Sequence, residues 1–567
     1  MILLLFLTSA LAYLIWTVVC LEVNVRKARA LRIPVVRIPI SAESNLWVIV
    51  QPLVWKILDI LVARPWGSYP DFVRFSHRNW CFLEKSRPTE VFGSAWALVS
   101  PAGISLYVAD PDAIVDVYSR WKDFVRPSHK YGMLAFYGPS VFTVGLDDWP
   151  RHRKAVAAPF SEDLMSLVWK KTLRHTQEML EEWTTKQQTG SLNLVADLRA
   201  LTFNVLAATA FQESRSSENP SLEPKGSETR TETYRDTLHV VLENAILLML
   251  VPYRHLKGNL IPTGLAKIGR AAESFKSLLM EMVREEAAAI DRDSAASGGL
   301  LTPLVRALGL HKAFSEQADK NDESTGRTKR GALSADEILG NIFAINFAGH
   351  DTVLIALSFT LTLLAANPDI QEWLHEELKA VLRGDSNDWE YDDFSKLVRC
   401  QAVYFETLRL FAPITGVPKL ATERATSLQV EDRLLSIPPG MEVFPVLLGI
   451  QTDSRYWGEK SYEWRPKRWI LNPGPVGQEE LLTPQKGTFF PWSDGPQNCV
   501  GKKFSIVEGV AVLARLFHQH RLRLLENADE TEAEARKRAQ DCVDDVNYNL
   551  LLRMNHPERV KLCVEAK

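Results

Sequence analysis

Between Ser334 and Ala366 the chain carries one long apolar run whose ends are both marked. Ser334 and Glu337 have the spacing of a capping box, and Asn367-Pro368 closes the run because proline cannot continue a helix. The roughly 32 residues between them predict a helix about 48 Å long, at 1.5 Å per residue. Such an element either crosses a bilayer or runs through the middle of a large domain, and everything else must pack accordingly. From Ile338 to Ala366 its only titratable side chains are His350 and Asp351, within Ala348-Gly349-His350-Asp351-Thr352. An acid at mid-helix is expensive in lipid and usually functional wherever it occurs.

A second stretch, residues 489–504, reads FFPWSDGPQNCVGKKF. Cys499 lies between Gly495 and Gly501, just ahead of a helix-like run from Lys502. This predicts a thiolate offered to a metal from a tight loop, stabilised by backbone N–H groups and the positive end of a helix dipole. The two glycines would permit backbone angles and approaches that a Cβ forbids. Alone, Cys499 would more simply be a buried structural cysteine. Its neighbours decide otherwise: Trp492-x-x-Gly495-x-x-x-Cys499-x-Gly501 resembles the haem-ligating loop of the cytochrome P450 family.

That resemblance implies a mainly α fold with a smaller β region behind an N-terminal transmembrane helix, and haem b held by Cys499 as axial thiolate. It makes 334–366 the family's central distal helix rather than a second span. There Gly349 would leave room for dioxygen, and Asp351 with Thr352 would form an acid–alcohol pair delivering protons. Glu406-Thr407-Leu408-Arg409, flanked by apolar residues, matches the family's Glu-x-x-Arg and would join Arg468 in a structural network. Enclosed that way, the pair needs further hydrogen bonds or it destabilises the fold. Trp149 and Arg153 match a Trp-x-x-x-Arg that meets a haem propionate, a bidentate pairing suited to arginine. Three positions depart from the family: Gln497 and Lys419 stand where arginine is frequent, and Trp492 where phenylalanine is usual. Lysine can pair a propionate only as a point charge.

Residues 1–21 carry no charge and are long enough to span a bilayer. Arg26, Lys27, Arg29 and Arg32 follow, which puts the remainder on the cytosolic side and argues against a cleaved signal peptide. The expected layout is an anchor over 1–21, a basic and proline-rich hinge over 22–66, and a catalytic domain over 67–567. Within the hinge, Leu46–Val62 is apolar and could lie in the membrane interface or pack on the body. A small β region is expected from Gly67 to Phe136, with a helix at Asp112–Trp121, and helices from Trp149 onward. The tracts 213–231 and 315–331 and the charged insert 526–541 read as solvated loops. Six scattered cysteines form no Cys-x-x-Cys pair, which excludes the usual zinc spacings, and no glycosylation sequon lacks proline. A net charge of −3 gives no reason to expect nucleic acid.

The function expected from the resemblance is a microsomal, fungal-type monooxygenase of the endoplasmic reticulum membrane, in secondary metabolism. Electrons would come from NADPH through a separate reductase, since the chain has no Gly-x-Gly-x-x-Gly fingerprint, with cytochrome b5 as a further donor. Lys502, Lys503 and Lys154 would suit docking of an acidic partner. A lipophilic substrate is expected to face Phe343, Ile345, Phe347, Ile414, Thr415, Val417 and Leu551. Two alternatives compete: a family member that rearranges or dehydrates its substrate without a redox partner, and a non-catalytic haem or gas-binding membrane protein. Neither has an obvious use for the Asp351–Thr352 pair.

Overall fold

The computed structural model describes residues 1–41, 44–62, 65–186, 192–211, 227–244, 247–248, 251–257, 261–291, 299–307, 333–472, 474–548 and 551–567. The chain begins with helix α1 (Ile2–Arg29), strand β1 (Val35–Arg37) and helix α2 (Asn45–Val62). α1 therefore continues through the basic residues expected to open a hinge. Its last turns are buried at Val25 and Ala28, and Asn24 Nδ2 donates to the carbonyls of Ser100 (3.0 Å) and Pro101 (3.3 Å).

The first long strands are β2 (Ala95–Ser100) and β3 (Gly103–Val108). Ahead of them, residues 71–92 form short helical turns where the sequence had suggested strands. The Gly and Pro read there as strand breaks are helix punctuation: Pro88 sits in the first turn of Arg87–Phe92, and Gly93 ends it at φ 82°. Helix α3 (Pro111–Ser119) is capped by Asp110, which accepts from the Ala113 amide at 2.8 Å. β4 (Phe124–Val125), α4 (Trp149–Ala157), α5 (Glu162–Lys186), α6 (Leu194–Phe211), α7 (Ser227–Glu243) and α8 (Thr263–Asp291) follow. The polar tract 213–231 thus enters a helix at Ser227, and 213–226 and 315–331 lie outside the described residues.

Next comes the long helix, α9 (Ala335–Ala366), with the capping box present: the Glu337 amide donates to Ser334 Oγ at 3.3 Å, and the Ser334 amide to Glu337 Oε2 at 2.8 Å. Then come α10 (Pro368–Val381), α11 (Val398–Leu410), β5 (Lys419–Ala421), β6 (Thr426–Val430), β7 (Arg433–Ile437), β8 (Glu442–Pro445), α12 (Lys502–Phe517), β9 (His520–Leu524), α13 (Glu532–Asp544), β10 (Val546–Tyr548), β11 (Leu552–Met554) and β12 (Leu562–Ala566). The insert 526–541 is therefore largely helical. Thr531 and Glu534 form a second capping box, and Ala535, Ala539, Cys542 and Val543 make a narrow buried stripe among the charges.

β strands are not confined to the first third of the chain. The main sheet has the order β1-β2-β3-β8-β5-β4, so residues 419–445 return to pair with strands some 300 positions earlier. α9 packs against α6, α11, α12, α13 and β9 and is buried over most of its length. It is a core helix, whereas the apolar part of α1 is exposed. Near its start α9 is crossed by the 138–139 backbone: a Cβ on Gly340 would strike the Pro139 carbonyl, and one on Gly138 (φ 145°) the Asp336 carbonyl.

Candidate functional site

The cysteine loop folds back on itself ahead of α12. The Cys499 amide donates to the Trp492 carbonyl at 2.9 Å, and the Trp492 indole donates to Ser505 Oγ, also at 2.9 Å. Gly495 (φ 68°) is required twice over, by its left-handed backbone and by its approach to the Tyr118 carbonyl. Gly501 is different from the expectation. Its φ is −85°, and an added Cβ would meet only Cys499 Sγ at 3.8 Å and the Phe160 ring at 3.9 Å. What this glycine leaves open is space beside the sulfur. Cys499 has accessible surface although it lies deep in the protein, so its thiol faces an internal cleft. Burial pushes the thiol pKa up, while the Gly501 amide and the charge of Arg153 pull it back.

Beside this loop the fold gathers cations without anions. Arg153 of α4 donates to the Asn498 carbonyl and Asn498 Oδ1, both at 2.6 Å. Lys419 of β5 is buried and donates to Gln497 Oε1 at 2.6 Å. Arg126, just after β4, donates to the carbonyls of Val141 (2.9 Å) and Gln497 (3.0 Å). Burial, then the charge of Arg126, lowers Lys419 to about 7; burial lowers Arg126 to about 10. Among the described residues none of the three has a carboxylate at ion-pair distance. Trp149 is buried on α4, and its indole nitrogen has no hydrogen-bond partner. Unpaired buried donors and charges are costly, so this corner is built for an anionic guest.

α9 brings the acid–alcohol pair into the core. The Thr352 hydroxyl donates to the Ala348 carbonyl at 2.6 Å. Asp351 is buried and paired with Arg553 of β11, which donates to Oδ2 at 2.7 Å. Gly349 does not open towards Thr352's partner: its missing Cβ would meet Leu206 of α6 at 3.4 Å, so this position lets two helices approach. The residue whose carbonyl Thr352 engages is Ala348.

Glu406, Arg409 and Arg468 meet with every oxygen and nitrogen engaged. Arg409 is bidentate on Glu406 (2.8 and 2.9 Å), and Arg468 Nε reaches Glu406 Oε1 at 2.8 Å. The Arg465 amide and the Trp469 indole complete the carboxylate at 2.8 and 2.9 Å. The arginines' remaining donors go to the carbonyls of Gln451, Ser461, Glu463, Trp457 and Lys460. A charge cluster whose Glu406 and Arg409 are fully buried survives only with such satisfaction.

A family model for cytochrome P450 matches residues 89–540. The chain belongs to the cytochrome P450 family. Relatives extend the likeness over nearly the whole length. A cytochrome P450 monooxygenase of Arthrobotrys oligospora is 27% identical over 576 residues, covering 96% of this chain and 95% of the relative. One of Penicillium roqueforti is 27% identical over 552 residues, covering 92% and 91%. The phomenoic acid biosynthesis cluster cytochrome P450 monooxygenase of Leptosphaeria maculans is 23% identical over 594 residues, covering 95% of each. This cytochrome P450 is thus a fungal-type monooxygenase, and membership implies haem iron bound through a cysteine thiolate.

The residues fit that group. Haem carries two propionates, and the unpaired set of Arg126, Arg153, Lys419 and the Trp149 indole is the complement of two carboxylates. Arg126 was not found from the sequence; Arg126-Pro127 has no local motif, and only folding brings it to Gln497. Gln497 does not replace an arginine directly but receives Lys419. Of the expected substrate-facing residues, Phe343 is instead core, packed on Phe136 and Tyr137 at 4.5 and 5.2 Å. Leu551 and Thr415 are also buried, whereas Ile345, Phe347 and Val417 are partly buried and Ile414 is exposed.

Proposed function

We propose that this cytochrome P450 oxygenates a lipophilic small molecule of secondary metabolism at the endoplasmic reticulum membrane, with electrons from NADPH passed on by a separate reductase. The observation carrying the site assignment is the convergence of an accessible, deep thiol with a buried lysine and two partly buried arginines that have no carboxylate partner among the described residues. In this reading Cys499 holds the iron of haem b, and bound haem supplies the activation of dioxygen that puts one oxygen atom into a C–H or C=C bond and the other into water. Arg126, Arg153, Lys419 and Trp149 bind the propionates, and Gln497 orients the Lys419 amine. Trp492 buttresses the loop through its bond to Ser505. Thr352 positions water at the Ala348 carbonyl, and Asp351 passes protons inward. Glu406, Arg409 and Arg468 hold the frame behind the loop.

Exposed Lys154 and Lys502 support docking of an acidic donor such as the reductase or cytochrome b5. Lys503 contributes less, being held by Glu162 at 2.6 Å. The first test is spectroscopic. The reduced, carbon-monoxide-bound protein should show the strongly red-shifted Soret band of a thiolate haem, and Cys499→Ala should abolish it. A thiolate spectrum persisting in that variant would refute the ligand assignment.

A further inference from the structure

From Ile338 to Ala366 α9 holds two titratable side chains, and the oxygenase reading uses only Asp351. The other is His350. Ile345, Ala348, Gly349 and Thr352 are partly exposed, and their spacing of i, i+3, i+4 and i+7 puts them on one side of α9. His350 and Asp351 stand outside that stripe and are only 4% and 3% exposed. The His350 ring meets Phe203 of α6 edge-on, with centroids 6.2 Å apart, and hydrogen-bonds the backbone of Arg199, also of α6. Its Nδ1 is sealed from solvent and has no hydrogen-bond partner. Asp351 Oδ1 lies 3.5 Å from that nitrogen, while Arg553 of β11 takes Oδ2.

A neutral imidazole has one N–H to donate and one lone pair to accept with. Since Nδ1 is unpaired, the bond to the Arg199 backbone belongs to Nε2, and Nδ1 turns its lone pair on the carboxylate. Two lone pairs facing each other where water cannot enter repel, and an unmet polar atom is costly there. One proton removes both faults. It can sit on Oδ1 and be donated to Nδ1, or sit on Nδ1 and be donated to Oδ1, after a contraction of about half an ångström. Burial holds the imidazole below its usual pKa; the Asp351 charge works against burial, and the guanidiniums of Arg199 and Arg553 add to it. These are the charges that α9, α6 and β11 bring to the ring, Arg199 being shared with Glu243 of α7 at 3.4 Å. A proton in such a gap is bound by the pair rather than by either member.

We propose that His350 is a positioning residue for proton delivery: it shares with Asp351 the proton that Asp351 passes on and fixes the oxygen that carries it, while Arg553 fixes the other. This rests on the reading of Asp351 as the proton donor. When the proton leaves Oδ1 towards water held at Thr352, one from solvent replaces it and no electrons move. The test is an infrared difference titration of the full-chain holoenzyme, reduced and carbon-monoxide-bound. The Asp351 carboxyl band is the one lost in Asp351→Asn, and the His350 ring bands are those lost in His350→Phe. In the unaltered protein both should change at one midpoint. His350→Asn keeps a polar group at the place of Nδ1, and His350→Phe keeps a ring without nitrogens. In each, the carboxyl midpoint should fall by about one pH unit or more, a tenfold loss of proton affinity, with the thiolate Soret band intact as the check of fold. An unchanged midpoint in both, while Asp351→Asn still slows NADPH consumption with purified reductase, overturns the proposal and leaves Asp351 as the donor. Full NADPH turnover in Asp351→Asn overturns that reading itself, and the use of the shared proton with it. Separate midpoints for ring and carboxyl in the unaltered protein would mean that no proton is shared, and also overturn the proposal.

Discussion

Thr352 and Asp351 are neighbours in sequence with different engagements, one on the carbonyl a turn back and the other on an arginine 202 residues away. Thr352→Val removes only a hydroxyl, so haem binding and the thiolate spectrum should persist while NADPH electrons are diverted into hydrogen peroxide. Following NADPH, peroxide and product together measures this, and unchanged coupling would remove Thr352 from the proton path. Asp351→Asn should slow turnover by about 10²–10⁴ if the carboxylate transfers protons. Arg553 bears on stability too: Arg553→Leu leaves a buried carboxylate without its partner and should cost about 1.5–3 kcal/mol in urea unfolding. Adding Asp351→Asn to Arg553→Leu should recover part of that loss. Asp351 and Thr352 stand out in the sequence as a candidate pair because an acid is conspicuous in an apolar helix. Arg553 does not, because nothing in a β11 arginine announces a partner in α9. Gly349 also lies against α6, where an added Cβ would touch Leu206 at 3.4 Å.

α9 is fastened at its start by more than its own cap. Glu337, already accepting from the Ser334 amide, also takes a bidentate guanidinium from Arg151 of α4, and Asn341 links the Val141 amide (2.8 Å) and His152 Nδ1 (2.9 Å). α4 thereby joins the distal helix through Arg151 and His152 to the cysteine loop through Arg153. Burial opposes ionisation of Glu337, but Arg151 and the Ser334 amide outweigh it and hold its carboxyl at about 2, against an ordinary 4.5. The folded state therefore binds fewer protons between those values. The contribution is complete above about pH 4.5 and is lost as pH falls towards 2. After screening at this partly exposed site it is worth about 1–2 kcal/mol. Glu337→Gln should be destabilised by that amount at pH 6, and the gap in urea midpoints should narrow by pH 3.5; a pH-independent gap would count against the ion pair. The cap of α9 was readable from Ser334 and Glu337. The same signature at Thr531 and Glu534 was overlooked because charge dominates that segment, and a stripe as thin as Ala535, Ala539 and Cys542 gives little apolar periodicity.

For the molecule as a whole, the sequence conveyed the class of fold but not how the chain's two ends of the main sheet find each other. Local runs reveal strands such as β2 and β3, whereas pairing of β3 with β8 is decided by tertiary packing. The end of the charge-free run at Leu21 does not end the helix: α1 continues to Arg29 and is buried at Val25 and Ala28. Deleting 1–21 should therefore leave a folded haem domain, part of which still pellets with membranes through α2. Deleting 1–37 also removes β1 and the buried Val25, Ala28, Ile33 and Val36, and should cost on the order of 5 kcal/mol. Equal urea midpoints for the two truncations would show that this edge of the sheet carries no weight. The crossing at Gly138 and Gly340 has a consequence for traffic. The segment from Arg126 to Arg153 is tied to the cysteine loop at both ends, through Gln497 and Asn498, and passes close against α9 in its middle. Any opening of this stretch for a bulky substrate would have to part the close approach of Gly138 and Pro139 to α9 or the bonds to the loop that carries Cys499.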